Sequence, residues 1–124
     1  MKRILIVDDA ATVRLFHRTI LEEGGYFVDE AINGIEALEK ALVNPYDLYL
    51  VDVNMPKLDG YAFVRELRSH PMLPQAPAVM VSTEAKTSDQ NKAWEAGANL
   101  YIIKPAKPEV LLRHVRLLLG EVGI

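Results

Sequence analysis

The stretch Leu48-Tyr49-Leu50-Val51-Asp52-Val53-Asn54-Met55-Pro56-Lys57-Leu58-Asp59-Gly60 sets an unbroken apolar run against a carboxylate and then against turn residues. Four apolar residues without polar alternation fit a strand covered on both faces, as at the centre of a parallel sheet. Pro56 has no amide hydrogen to give a ladder, and Asp59-Gly60 reads as a turn into a helix that Asp59 caps. Asp52 therefore stands at the carboxyl end of a central strand. In open α/β sheets the crevice beyond those ends is where ligands bind. Aspartate is also common wherever a strand gives way to a loop, so its meaning depends on the other strand ends.

Working outward, strand and helix alternate five times. Ile4 to Val7 is a buried strand, followed by a helix with Val13, Phe16 and Ile20 at helical spacing that Gly24-Gly25 stops. Tyr26 to Ala31 is a second strand, placed at an edge because Asp29 and Glu30 make it polar. Asn33-Gly34 opens a helix with Ile35, Leu38 and Leu42 as its apolar face, and Asn44-Pro45 closes it. Beyond the central strand, Phe63, Val64 and Leu67 mark a third helix, and the proline-rich segment Ser69 to Pro77 is a loop. Val79-Met80-Val81 is a buried strand ending at Ser82. Lys86 to Ala96 is a polar helix in which only Ala93, Trp94 and Ala96 can pack, and Gly97 ends it. Tyr101-Ile102-Ile103 is the last strand, and Pro108 begins a helix that buries Leu111, Leu112, Val115, Leu118 and Leu119. This alternation predicts an α/β fold, a five-stranded parallel sheet with right-handed crossovers and five helices on both faces.

At 124 residues the chain has the size of one domain, expected over 1–124, and with 50% hydrophobic and 25% charged residues its composition is that of a globular protein. A net charge of −3 argues against a nucleic-acid surface, and the lack of cysteine excludes disulfide and thiol chemistry and is compatible with a reducing, cytoplasmic setting. Lys2-Arg3 precedes an apolar run, but Ile4 to Val7 is too short for a signal-peptide core, and nothing approaches a membrane-spanning length.

In a parallel sheet all carboxyl ends share one edge, so Asp8, Asp9, Asp52, Ser82 and Lys104 converge there. Three carboxylates in one place repel one another, and a bound cation or a raised pKa relieves this. Hard oxygen ligands suit Mg²⁺, which keeps several of its waters. Lys104 and Ser82 together with Mg²⁺ can hold phosphoryl oxygens, and the nucleophile is then a carboxylate, giving an aspartyl phosphate.

These residues resemble a known family, the receiver domains of two-component response regulators. The matching features are Asp8-Asp9, Asp52, Met55-Pro56 with Asp59-Gly60, Ser82, and Lys104-Pro105, and they span essentially the whole chain. Thr12-Val13-Arg14, Asn54-Met55-Pro56 and Ser82-Thr83-Glu84-Ala85-Lys86 resemble most the stand-alone chemotaxis response regulator. The resemblance implies the flavodoxin-like, doubly wound strand order 2-1-3-4-5. It implies a phosphorylation-activated switch that is not an enzyme in the ordinary sense, although it assists its own phosphorylation and dephosphorylation. Asp52 would be the phosphoacceptor. Asp9, Asp52 and the backbone carbonyl of Asn54 would bind Mg²⁺ directly, with Asp8 acting through metal-bound water. Ser82 and Lys104 would bind phosphoryl oxygens, and the Lys104-Pro105 bond would be cis. Asn54 and Glu84 would flank the approach of hydrolytic water and tune dephosphorylation. Tyr101 would be the switch aromatic, reporting phosphorylation to the surface formed by the fourth helix, fifth strand and fifth helix. Apart from the resemblance, the helical wheel that turns Ala93 and Ala96 to the sheet turns Trp94 away from it, so Trp94 is expected to border that output surface with Tyr101. The implied partners are a histidine kinase or phosphotransfer protein and an unidentified output protein, with a monomeric chain, no nucleic acid and no membrane insertion.

The sequence departs from the family pattern at four places. Ser82 stands where threonine is commonest, Val53 where the chemotaxis relative has tryptophan, and Ala106 where a large apolar residue is usual, while Lys107 is a poor N-cap. His17, His70 and His114 share no ligand spacing and are read as solvated or packing residues. Arg113 and Arg116 belong to the solvated face of the last helix. Two other functions suit the same fold. An aspartyl-phosphate phosphatase resembles Asp-x-Asp, but Asn54 occupies the second place and an amide cannot deliver a proton as a carboxylic acid does. A flavin-binding module wants a phosphate-cradling loop after the first strand, where Asp8-Asp9 would repel a phosphate.

Overall fold

The computed structural model describes residues 1–121. Its elements run β1 (Arg3–Val7), α1 (Ala11–Glu23), β2 (Phe27–Ala31), α2 (Gly34–Val43), β3 (Leu48–Asp52), α3 (Gly60–Ser69), β4 (Ala78–Ser82), α4 (Thr87–Ala96), β5 (Leu100–Ile103) and α5 (Pro108–Leu118). All neighbouring strands pair in parallel, in the order β2-β1-β3-β4-β5. The polar strand β2 is at an edge, where Asp29 accepts a hydrogen bond from the Tyr46 hydroxyl at 2.7 Å and Glu30 pairs with Arg14 at 2.7 Å.

Alternate side chains of the central strands feed two cores. Leu5, Val7, Tyr49, Val51 and Met80 pack with Ala37, Ala41, Phe63, Leu67 and Ala93 from α2, α3 and α4. Ile4, Ile6, Leu48, Leu50 and Val81 pack with Ile20, Leu21, Leu111 and Val115 from α1 and α5. A strand buried on both faces needs apolar residues at every position, which is why Leu48 to Val51 shows no alternation. Leu112, Leu118 and Leu119 are half-buried at the rim of the second core. Ala106 is buried in that core, so the small residue there still packs.

Capping agrees with the turn chemistry. Asn33 accepts from the Glu36 amide and Asp59 from the Ala62 amide, each at 2.8 Å, while Lys107 makes no side-chain cap. Gly97 ends α4 in the left-handed region at φ 105°. The sheet-facing sides of two helices differ from expectation. In α1 the buried residues are His17, Ile20 and Leu21, and Phe16 is exposed. In α2 they are Gly34, Ala37 and Ala41 with Leu38 partly buried, while Ile35 and Leu42 are exposed, Leu42 by 54%. Small alanines let α2 lie close to the sheet, so its larger apolar residues fall outside the contact. Among the described residues no helix is long and apolar enough to cross a membrane.

Candidate functional site

Strand pairing aligns Val7 with Val51, Asp52 with Val81 and Ser82 with Ile103, so the residues that end these strands meet at one edge. The loop after β1 is tied down at Asp8. Its amide donates to the Ala31 carbonyl at 3.0 Å, and its Oδ1 accepts from the Ala10 amide at 2.9 Å. The Arg14 guanidinium donates to the Asp8 carbonyl at 2.8 Å and to Glu30 at 2.7 Å, holding this loop against the edge strand.

After β3 the chain turns back under Asp52. The Gly60 amide donates to the Val53 carbonyl at 2.9 Å, and a Cβ on Gly60 would lie 2.2 Å from the Asp52 carbonyl oxygen, so only glycine fits this approach. Within the same loop Lys57 adopts φ 69°, a strained conformation for a residue with a side chain.

Carboxylate oxygens of Asp8, Asp9 and Asp52 lie within 4.8 Å of one another. Asp8 and Asp52 are buried and Asp9 is exposed. Lys104 reaches into the cluster, its Nζ 2.7 Å from Asp52 Oδ1 and 3.3 Å from Asp8 Oδ2. Burial pushes the Asp52 carboxyl above its usual range, the Lys104 hydrogen bond pulls it down, and the charges of Asp8 and Asp9 push it up again, for a net rise. Burial opposes the Lys104 ammonium, but the hydrogen bond and charge of Asp52, with Asp8, outweigh it and raise its pKa. The one ammonium thus pairs with two of the three clustered carboxylates, and the all-oxygen donor set with its excess negative charge fits a hard divalent cation such as Mg²⁺.

The buried Ser82 accepts from the Glu84 amide at 3.0 Å through its Oγ, and the Lys104 amide donates to the Ser82 carbonyl at 2.7 Å. The Lys104-Pro105 bond is cis. Asn54 and Glu84 are exposed on the loops after β3 and β4. Tyr101 is half-buried and its hydroxyl donates to the Glu84 carbonyl at 2.7 Å. Trp94 points outward from α4 and is 45% exposed, so it is not a core residue.

Two features of this edge were not legible as site residues. His17 is 2% exposed and, with Thr12, Val13, Phe16, Thr83 and Pro105, lines a recess of about 310 Å³ beside Lys104. Its signal was its place on the Ile20-Leu21 stripe of α1, which a search for metal-ligand spacing passes over. Arg14 serves through its bond to the Asp8 backbone, which no spacing reveals.

Residues 4–116 match the response regulator receiver domain family. The transcriptional regulatory protein ResD of Bacillus subtilis is 38% identical over 117 residues, covering 94% of this chain and 48% of ResD. The chain spans about half or less of the length of the curated relatives it matches. Among solved structures, the chemotaxis protein CheY4 of Vibrio cholerae superposes with a TM-score of 0.89 at 33% identity, covering 95% of this chain and 98% of CheY4. The receiver domain of the sensor histidine kinase PA1611 from Pseudomonas aeruginosa PAO1, which has a magnesium ion coordinated in its active site cleft, gives 0.88 at 31% identity, covering 96% of this chain and 98% of the other. With its five strands in the order found here and its acidic cluster at their carboxyl ends, this chain belongs to the response regulator receiver domain family.

Proposed function

We propose that this chain is a phosphorylation-activated signalling switch of a two-component phosphorelay, taking a phosphoryl group onto Asp52 from a phosphohistidine of a histidine kinase or phosphotransfer protein. The observation that carries this reading is the meeting of Asp8, Asp9 and Asp52 within 4.8 Å, with the Lys104 ammonium 2.7 Å from Asp52. Receiver domains bind Mg²⁺ at their acidic site. Here Asp9, Asp52 and the Asn54 backbone carbonyl would hold it, with Asp8 acting through water. Bound there, Mg²⁺ supplies positive charge against the phosphoryl oxygens.

An Asp52 carboxylate oxygen forms the new O–P bond as the donor's P–N bond breaks. The electron pair of the broken bond leaves with the imidazole, which takes up a proton from solvent. Lys104 releases part of its hold on Asp52 and neutralises a phosphoryl oxygen, and the Ser82 hydroxyl donates to another. Asn54 and Glu84 stand at the exposed approach to Asp52 and set how readily water attacks the acyl phosphate, so that the domain assists its own dephosphorylation. Tyr101 and Trp94 border the surface that an output protein reads, in the cytoplasm and from a monomeric receiver.

Intact-mass measurement after incubation with a small acyl phosphate, with and without Mg²⁺, tests the assignment. The natural protein is expected to gain one phosphoryl mass only with Mg²⁺, Asp52→Asn to gain none, and Asp9→Asn to lose the Mg²⁺ response. Substitution of Asn54 or Glu84 is expected to change the decay of the added mass more than its appearance. Phosphorylation of Asp52→Asn at the natural rate would overturn the reading.

A further inference from the structure

Helix α4 is held very differently at its two ends. At its carboxyl end, Arg68 of α3 donates to the Gly97 carbonyl at 2.9 Å, to the Ala76 carbonyl at 2.8 Å and to Asn99 Oδ1 at 2.8 Å, and Asn99 bonds to both backbone groups of Ala78. At its amino end, Lys86 is exposed and makes no side-chain cap, and the helix buries only Ala93 and Ala96. Two tyrosine hydroxyls grip this loose end. Tyr101 donates to the Glu84 carbonyl at 2.7 Å, and Tyr61 donates to the Asp89 carbonyl at 3.1 Å.

Tyr61 follows Gly60, whose amide bonds to Val53 and whose α-carbon abuts the Asp52 carbonyl. Asp59 caps the same turn, so the start of α3 moves with the backbone of the acidic site. The Tyr61 ring packs half-buried against the core beneath α4. Burial, with Tyr101 and Asp89 close by, pushes its hydroxyl to about 12, which keeps it a donor throughout the physiological range.

We propose that Tyr61 is a second switch residue, whose hydroxyl ties the first turns of α4 to the end of α3 that abuts Asp52 and holds the resting arrangement in parallel with Tyr101. It is a positioning residue. A chain with its carboxyl end fixed and its amino end released swings about Gly97, and a group that bonds only the resting position biases the population against the swung one. The Tyr61 link reaches α4 from the β3–α3 side, without passing through Ser82. This proposal rests on Asp52 as phosphoacceptor.

The test is Tyr61→Phe, which removes one oxygen and keeps the ring. Its initial rate of phosphorylation by a small acyl phosphate at saturating Mg²⁺, followed by intact mass, is expected to exceed that of the natural protein about 2- to 10-fold, the range one neutral hydrogen bond is worth. Amide exchange across the first turns of α4 is expected to quicken while α5 is unchanged. A purely structural role would quicken exchange without raising the rate, so a rate equal to or below the natural one overturns the proposal. If the natural protein itself gains no mass, the Asp52 assignment fails and the switch role of Tyr61 falls with it. That outcome is distinct from failure of the latch alone, in which the natural protein gains mass and Tyr61→Phe gains it no faster.

Discussion

At the residue scale, charge and burial meet most sharply around Lys104, where one ammonium serves two buried carboxylates. Sequence position alone brought Asp8, Asp9, Asp52 and Lys104 to one edge, because each is a charge at or just beyond the end of an apolar strand, a pattern that needs no knowledge of side-chain direction. His17 was not legible in that way. A histidine on an amphipathic helix is ambiguous until its neighbours are known, and here the stripe it shares with Ile20 and Leu21 puts it under the β5–α5 connection. Burial lowers its pKa, Asp8 raises it and Lys104 lowers it, for a net fall. The unfolded chain therefore binds a proton at His17 that the folded chain refuses. The stability this residue contributes is present above the unfolded value of about 6.5 and is lost as pH falls towards the lower folded value. Urea unfolding at pH 7.5 and 5.5 should show the natural protein losing more stability on acidification than His17→Gln. Equal losses would mean the imidazole is accessible in the folded protein.

At the scale of elements, the helix faces show where periodicity misleads. Reading α1 and α2 by their largest apolar residues selected Phe16, Ile35 and Leu42, all of which are exposed. The sheet is met by Ala37 and Ala41, whose small size permits the close approach that a hydrophobicity count undervalues. In α3, where Phe63, Val64 and Leu67 are both large and buried, the same reading succeeded. Leu42→Glu should therefore shift stability by no more than ~0.5 kcal/mol, as for other surface changes. Phe63→Ala, which empties a fully buried site, should cost about 3–5 kcal/mol. Gly60→Ala drives a methyl into the Asp52 carbonyl and should cost about 1–3 kcal/mol while weakening Mg²⁺ binding, because the backbone that must yield carries Asp52. Chemical denaturation curves and a Mg²⁺ titration check these together. A Gly60→Ala protein as stable as the natural one would show that the β3–α3 turn yields freely.

At the scale of the whole molecule, alternation of strands and helices gave the α/β class and the shared edge of polar strand ends. The order β2-β1-β3-β4-β5 did not follow from it, since several right-handed arrangements satisfy the same alternation, and it came from the family resemblance. The polarity of Asp29 and Glu30 did place β2 at an edge, because central strands of such a sheet have no room for unpaired carboxylates. The molecule then has a tightly built acidic edge beside a helix, α4, that buries only two alanines, and in the proposed switch a site change would pass outward through that contrast in packing. Trp94, exposed on α4, would report it. Mg²⁺ alone should alter its fluorescence little, because Val53 leaves no indole beside the acidic cluster, whereas phosphorylation should change its emission or quencher access. A large response to Mg²⁺ and none to phosphorylation would separate α4 from the switch. The most direct measurement is to phosphorylate the protein with Mg²⁺ and a small acyl phosphate, reduce the acyl phosphate with borohydride, and map the product by peptide mass spectrometry. Conversion of residue 52 to homoserine is the result predicted here, and conversion at Asp8 or Asp9 with Asp52 untouched would contradict it.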